Sequence, residues 1–480
     1  MLDRFIHRVK DIFAPRSVIV KTPRVIPASE HGIDPALVSD EAKKTCEALQ
    51  RRGFKAYVVG GAVRDLLRGV PPKDFDVATD ATPEQVKRCQ RRAVIIGRRF
   101  QLVHVIFGRE VIECSTFRAL EGAGQRKDAT GRVISDNVFG EMWEDAARRD
   151  FTVNALYYDP QTQEILDYHH GFEDLAAKRL RIIGDPAVRY REDPVRMMRA
   201  VRIAAKLGFT IEPAAERLIP KMAPLLSNVP SARLVDELLK LLTCGHAVDC
   251  MRKLRADGLH KALLPLLDVI VAEPEGEQFL MLALKRTDER IAIGKKISPS
   301  FLFGTLLWPQ VKKRWDYNEQ TKGMSRLQAL HAASVEVLAT QCQQLNIQRR
   351  YQADMHDLWM LQARFERRTG KNPYALVTHP RYRAAYDFMM LRSQPGHVPQ
   401  EWVTWWKAFY EGDEDRRAGM IEQAQQEARR TGDQARRGRR AAAAAAADGA
   451  APESADGTAP RRRRRRRPRT RRPEGESPRA

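Results

Sequence analysis

Near residue 185 the spacing of the apolar residues changes, and no other feature limits the fold of this 480-residue chain as tightly. Ahead of that point, short strand-like runs alternate with helical stretches. Residues 39–52 repeat apolar side chains at helical spacing, and 56–59 and 74–78 read as short strands. Residues 102–107 and 111–116 flank Gly108-Arg109-Glu110 as the two arms of a hairpin. Beyond it, residues 194–207, 232–242, 301–308, 327–345, 351–368 and 402–410 all carry apolar residues at i, i+3 and i+4, the period of a helix buried on one face. The pattern predicts an α+β protein, with a small mixed β-sheet head followed by an all-helical neck and body. No fixed-period repeat runs through it.

Hydrophobic residues make up 43% of the chain, enough for packed cores in two or three domains, so the unusual quantity is the net charge of +22. Such an excess points to a polyanionic partner, nucleic acid ahead of an anionic membrane surface. Residues 429–480 hold 17 arginines against 6 acidic residues, which is half of the excess. The remainder is therefore basic in its own right. From about residue 418 large apolar side chains run out, and the alanine run 441–447 and arginine run 461–467 are of low complexity, so no fixed structure is expected there. Cys46, Cys89, Cys114, Cys244, Cys250 and Cys342 lack paired spacing, and Cys244 and Cys250 have only His246 nearby, too few ligands for zinc. Free thiols in a reducing compartment follow, and no apolar run is long enough to span a membrane, so a cytoplasmic location is expected. Leu2, Phe5, Ile6, Val9 and Ile12 recur at helical spacing; a short helix docked on its own domain is favoured over a membrane-surface or targeting helix.

Two constellations carry chemistry. Gly60-Gly61-Ala62-Val63-Arg64-Asp65 lies between a strand and a helix. Adjacent glycines let backbone N–H groups approach a ligand, and a helix start suits phosphate, to which Arg64 adds a charge. About ten residues on stands Lys73-Asp74-Phe75-Asp76-Val77. In a strand Asp74 and Asp76 project from the same face while Phe75 enters the core. Two carboxylates so close repel unless a cation separates them, and magnesium prefers oxygen ligands of this kind. Alone, the first also fits an ordinary strand-to-helix turn and the second a solvated strand end.

In this order and spacing the two resemble the signature of the DNA-polymerase-β-like nucleotidyltransferases, in the branch of tRNA nucleotidyltransferases and poly(A) polymerases. Arg148-Arg149-Asp150-Phe151-Thr152-Val153-Asn154-Ala155 resembles that branch's second block, and residues 190–200, which include Asp193, Arg196 and Arg199, resemble its nucleotide-selecting block. The resemblance implies an arm over residues 1–30, a catalytic head over 31–185, a nucleotide-selecting and RNA-binding neck over 186–245, an RNA-binding body over 246–417 and an Arg-rich tail over 418–480. It implies Asp74 and Asp76 as catalytic, metal-binding carboxylates, Asp150 as a further essential acid, and ATP contacts from Gly60, Gly61, Arg64, Arg149, Asp193, Arg196 and Arg199. Magnesium is the implied cofactor, ATP and RNA 3′ ends the substrates, and RNA-decay proteins the further partners. Glu113 stands near where the superfamily often has a third carboxylate. Asp193, Arg196, Arg199 and Arg202 recur every three residues as one polar stripe. Carboxylate and guanidinium match the donor–acceptor edge of adenine or cytosine and not that of guanine or uracil, so the stripe does not separate A from C.

Outside these blocks, Val25-Ile26-Pro27 through His31-Gly32-Ile33 and the segment from His379 to Asp387 resemble bacterial poly(A) polymerases, as does the Arg-rich tail. The linker 121–133 departs from the family. Polyadenylation is the expected activity; the alternatives are CCA addition to tRNA and a catalytically inactive RNA-binding adaptor. His356-Asp357, with His331 and Asp387, sketches an HD phosphohydrolase site at unconvincing spacing. Tyr351, Trp359, Phe365, Trp402, Trp405 and Trp406 are stacking residues for RNA or, at helical spacing, ordinary core.

Overall fold

A computed structural model describes residues 21–97, 101–120, 126–127, 133–135 and 138–430. The 2–12 helix, much of the 121–133 linker and residues 431–480 lie outside the described residues. By internal contacts the chain forms two units, one of Met1–Arg367 with Lys371–Glu411, the other of Arg368–Gly370 with Gly412–Ala480. Head, neck and the body helices up to Glu411, apart from Arg368–Gly370, thus belong to one unit.

The head is built on eight strands: β1 (Arg24–Ile26), β2 (Ala56–Val59), β3 (Asp76–Thr79), β4 (Ala93–Ile96), β5 (Leu102–Phe107), β6 (Glu110–Thr116), β7 (Leu156–Tyr158) and β8 (Ile165–Asp167). Their order in the sheet is β1-β8-β7-β2-β3-β6-β5-β4, antiparallel throughout except where β3 runs parallel to β6. β2, and Val77 and Ala78 of β3, are apolar because both faces of the sheet are covered. One face packs Val58, Val77, Val105 and Ile112 against Ala42, Cys46 and Leu49 of helix α1 (Asp40–Gln50). The other sets Val59, Ala78, Phe117 and Tyr157 against Met142 and Ala146 of helix α2 (Met142–Arg148). The Ser39 side chain caps α1 by accepting from the Ala42 N–H at 3.3 Å, with Asp40 and Glu41 in its first turn.

Two sequence expectations need correction here. β3 begins at Asp76, not Asp74, because Lys73 and Asp74 precede the first paired residue, Asp76 opposite Val59. The chain is also helical over residues 414–430, where a tail without fixed structure was expected from 418. The segment is rich in Ala, Glu, Gln and Arg, strong helix formers, and Asp413 Oδ1 accepts from the Arg416 N–H at 2.9 Å.

The neck comprises α3 (Pro186–Glu192), α4 (Val195–Leu207) and α5 (Ser231–Leu242). α3 starts at Pro186 with Asp185 capping Val188 at 2.8 Å, and α4 stops at Gly208, whose φ of 68° is the left-handed value a helix terminus takes. The body follows as long helices, among them Pro274–Ala292, Pro299–Gln320, Arg326–Gln344, Arg349–Phe365, Tyr382–Ser393 and Gln400–Glu411. Trp308, Trp315, Trp359 and Trp406 are fully buried between them. The indole of Trp359 donates to the Gly304 carbonyl at 2.9 Å, and that of Trp406 to the Phe365 carbonyl at 2.9 Å, so these two rings are structural. Trp402, Trp405 and Tyr351 are half-buried. His331 Nδ1 and His356 Nε2 lie 2.9 Å apart, but Asp387 pairs with Arg383 at 3.4 Å, and no set of three metal-ligating side chains occurs among the described residues. The phosphohydrolase set is therefore not assembled there. All six cysteines are free, with the sulfurs of Cys244 and Cys250 3.6 Å apart. No helix of the described residues is long and apolar enough to cross a membrane.

Candidate active site

β2 ends at Val59, and the chain turns at Gly60 with φ 74° and ψ −133°, a conformation side-chain-bearing residues avoid. The helix Gly61–Leu67 starts at once. A Cβ added at Gly60 would lie 3.7 Å from Arg149 Nη1 and 3.9 Å from Asp76 Oδ2. The bare glycine, the first acid of β3 and an arginine 73 residues later in the blocks quoted above therefore meet at one point. Phe75 is buried while Asp74 and Asp76 open to solvent, the alternation read from the sequence. The parallel pairing of β3 with β6 sets Glu113 beside Asp76 in register. Crowding by the surrounding protein, then Glu113, and to a lesser degree Asp74, push the Asp76 carboxyl up to about 6, against the pull of Arg149.

Beside this turn, with Gly61 and Arg149 in its lining, opens a cavity of about 450 Å³. Arg64, Arg149, Arg196, Arg199, Arg202, Lys206 and Arg233 line it, against only two carboxylates, Asp150 and Asp193. The stripe predicted on α4 is real, and its arginines face this space. Few of the cations are loose. Arg64 donates to Asp65 at 2.7 and 2.9 Å and to Asn154 Oδ1 at 2.7 Å, and Asn154 Nδ2 donates to Asp150 Oδ1 at 3.2 Å. Asp150 Oδ1 also accepts from the Phe151 N–H at 2.9 Å, and its Oδ2 accepts from Arg199 Nε at 2.8 Å. A continuous chain of polar side chains thus ties the Gly60-Gly61 turn to the neck. Burial works against the Asp150 charge, but the Arg199 guanidinium, with the Arg199 and Asn154 hydrogen bonds, outweighs it and holds the carboxyl at about 2. Asp150, the further essential acid that the resemblance implies, has as its described side-chain partners Arg199, Asn154 and its neighbour's backbone.

Asp193 sits in the break between α3 and α4. The helix starts at Val195 with Pro194 as its boundary residue, one position later than a cap at Asp193 would place it. Asp193 Oδ1 still accepts from the Val195 N–H at 3.3 Å, and its Oδ2 accepts from Arg233 Nη2 at 2.6 Å. Arg196 Nη1 donates to the Arg189 carbonyl at 2.8 Å and to Glu192 at 3.3 Å. Arg202 donates to the buried Glu237 at 2.6 Å. Burial, and next Arg196, lower Arg189 to about 10, a measure of how densely positive charge is packed here. Sequence reasoning missed Lys206 and Arg233. Lys206 lies two helical turns beyond Arg199 and was available from the stripe; Arg233 comes from a separate helix, and nothing in its local sequence points to the cavity.

The descriptions of three families match successive parts of the chain: "Poly A polymerase head domain" at residues 56–181, "Probable RNA and SrmB- binding site of polymerase A" at 208–270, and "Polymerase A arginine-rich C-terminus" at 322–472. The Poly(A) polymerase I of Haemophilus influenzae is 43% identical over 411 residues, covering 84% of this chain and 91% of that one. This chain belongs to the poly(A) polymerase family. The Poly(A) polymerase I of Escherichia coli O157:H7 is 40% identical over 84% of this chain and 89% of its own. By contrast, a CCA-adding enzyme of Bacillus licheniformis is 35% identical over only 45% of this chain and 53% of its own length. The CCA-adding enzyme of Bacillus stearothermophilus in complex with CTP has a similar fold, with a TM-score of 0.50 and 25% identity over 76% of this chain and 80% of that one. Kinship with poly(A) polymerases runs through head, neck and body; kinship in sequence with that Bacillus licheniformis enzyme spans less than half of the chain.

Proposed function

We propose that this polynucleotide adenylyltransferase transfers AMP from ATP to RNA 3′ ends without a template, with magnesium held at Asp74 and Asp76, and that the tails it adds promote RNA decay in the cytoplasm. The observation that carries this reading is the juxtaposition at Gly60. An acidic strand end and a cavity lined by seven cationic side chains meet at a turn with no side chain of its own.

The triphosphate fits the cationic cavity and the N–H groups of the turn at Gly61, with Arg149 reaching from the side of Asp76. Adenine fits the stripe on α4. Asp193 accepts from its N6 amino group and Arg196 donates to N1. Both residues are held from behind, Asp193 by Arg233 and Arg196 by the Arg189 carbonyl and Glu192, which favours one orientation of the pair. Arg199 and Asp150 brace head against neck. The RNA 3′-hydroxyl then approaches the α-phosphate from the acidic side, its oxygen forms the new ester, and pyrophosphate leaves toward the arginines.

The donor set fits a divalent ion. Asp74, Asp76 and Glu113 offer hard oxygens, and burial, then the like charge of Glu113, raises the Asp76 carboxyl. No set of three ligands forms a protein cage among the described residues. Magnesium takes one or two carboxylates and completes its shell with water and substrate phosphate. When bound, such an ion supplies a Lewis acid that favours the deprotonated 3′-hydroxyl and offsets charge on the phosphates. Asp74→Asn or Asp76→Asn is expected to lower nucleotide addition by roughly a thousandfold or more, measured as extension of labelled RNA, while RNA affinity stays within about twofold. A variant of either residue that retained near-native rate would remove the assignment.

A further inference from the structure

Arg149 does not hang free at the edge of the cavity. Its Nη2 and Nε donate to Asp145 Oδ2 at 2.9 and 3.1 Å, and Nε also donates to the Tyr157 hydroxyl at 3.0 Å. The hydroxyl in turn donates to the same Asp145 oxygen at 2.7 Å. The guanidinium carbon lies 5.0 Å from the centroid of the Tyr157 ring. Two of the three guanidinium nitrogens are thus tied back into the protein. Nη1 has no hydrogen-bond partner among the described residues and is the atom beside Gly60, on the same side as Asp76.

Tyr157 stands in β7 with its side chain fully buried, edge-on to the rings of Tyr57, Phe117 and Tyr168 at 6.3 Å each. A phenylalanine would fill that space equally well. A buried hydroxyl is costly unless bonded, and its described hydrogen bonds are to Asp145 and Arg149. Asp145 is itself buried, on α2, one turn before Arg149. Burial pushes the Tyr157 phenol well above its usual range, so it keeps the proton it donates.

We infer that Asp145 and Tyr157 are positioning residues that fix the Arg149 guanidinium with Nη1 presented to the nucleotide triphosphate. This rests on the reading of Arg149 as a triphosphate contact. Neither residue lines the cavity, and the cavity-lining side chain to which both are hydrogen-bonded is Arg149. A guanidinium held by two nitrogens has already lost the rotational freedom that a free arginine loses on binding. The gain is specific to the triphosphate and absent for a ligand without one.

The test uses the full chain with Tyr157→Phe, Arg149→Lys and the double variant. For Tyr157→Phe the KM for ATP should rise about tenfold, with kcat changed by less than about threefold. Adenosine affinity, read as competitive inhibition, should not change, and neither should the melting temperature beyond a few degrees. In the Arg149→Lys background the Phe substitution should add less than about twofold, because the group it positions is gone. Equal weakening of ATP and adenosine, an undiminished effect in the Arg149→Lys background, or no change in KM for ATP would each overturn the inference. Should Arg149→Lys alone leave the KM for ATP unaltered, the triphosphate reading of Arg149 falls, and the inference with it. Asp145→Asn is a second probe, expected to follow Tyr157→Phe in direction.

Discussion

Charged side chains in this cavity are fixed by pairing before any ligand arrives. Asp150 illustrates the physics. Its carboxylate accepts from Arg199, Asn154 and the Phe151 N–H, and it sits near 2 instead of 3.8. A carboxyl held below its unfolded value stabilises the fold at pH values above that unfolded value. The contribution fades as pH falls from about 4 through about 2. Here it amounts to about 2 kcal/mol. Asp150→Asn should therefore be less stable than the native chain from pH 7 to pH 5, and the gap should narrow as pH drops below 4. Denaturant unfolding at several pH values reads this directly; a gap constant to pH 2.5 would mean that Asp150 is not held by charge. Arg199 is the other half of the pair. Its guanidinium is raised, first of all by Asp150, and Asp150→Asn would leave it facing Arg196 and Arg202 with less to balance it.

Two elements decide the site, the turn from β2 into the helix at Gly61 and the break between α3 and α4. The turn depends on Gly60 alone. Gly60→Ala should lose about 1–3 kcal/mol of stability from its backbone conformation, and activity should fall as the turn shifts against Asp76 and Arg149. At Gly61 an added Cβ would meet Arg64 at 3.5 Å, an ordinary contact. Gly61→Ala should therefore leave stability within about 1 kcal/mol of native and act mainly on the KM for ATP. Parallel melts and ATP titrations of the two variants check the contrast; equal destabilisation would refute it. The break between the neck helices was legible in the sequence because Pro194 cannot continue a helix without losing a hydrogen bond. Strands 56–59 and 102–107 were legible because their apolar runs are short and bounded by turn residues. The start of β3 was not, since it depends on the pairing of Asp76 with Val59 and Glu113, a long-range fact. Arg233 against Asp193 escaped for the same reason, since helix packing brings it in, whereas Glu113 was pointed to by the resemblance alone and the register of β3 with β6 sets it beside Asp76. The helix over 414–430 was missed because apolar spacing was the guide, and that segment is helical by local propensity and capping.

The chain joins a small mixed-sheet head to a helical neck and body and a tail whose sequence holds seven consecutive arginines. Truncation after Arg440 removes 11 arginines of the tail. RNA affinity should fall, and the slope of log affinity against log salt should become shallower, because fewer counterions are released on binding. The rate of adenylation at saturating RNA should survive. An unchanged salt slope would mean that the tail does not touch RNA. The stripe of Asp193 and Arg196 suits adenine and cytosine alike, so the nature of the product is where the account is most exposed. The measurement is product length and sequence on unstructured RNA, and on tRNA lacking its terminus, with all four nucleotides present. Long, nearly pure adenylate tracts on unstructured RNA, formed equally with ATP alone, are the predicted result. Short products that need CTP and a tRNA-like end would contradict it.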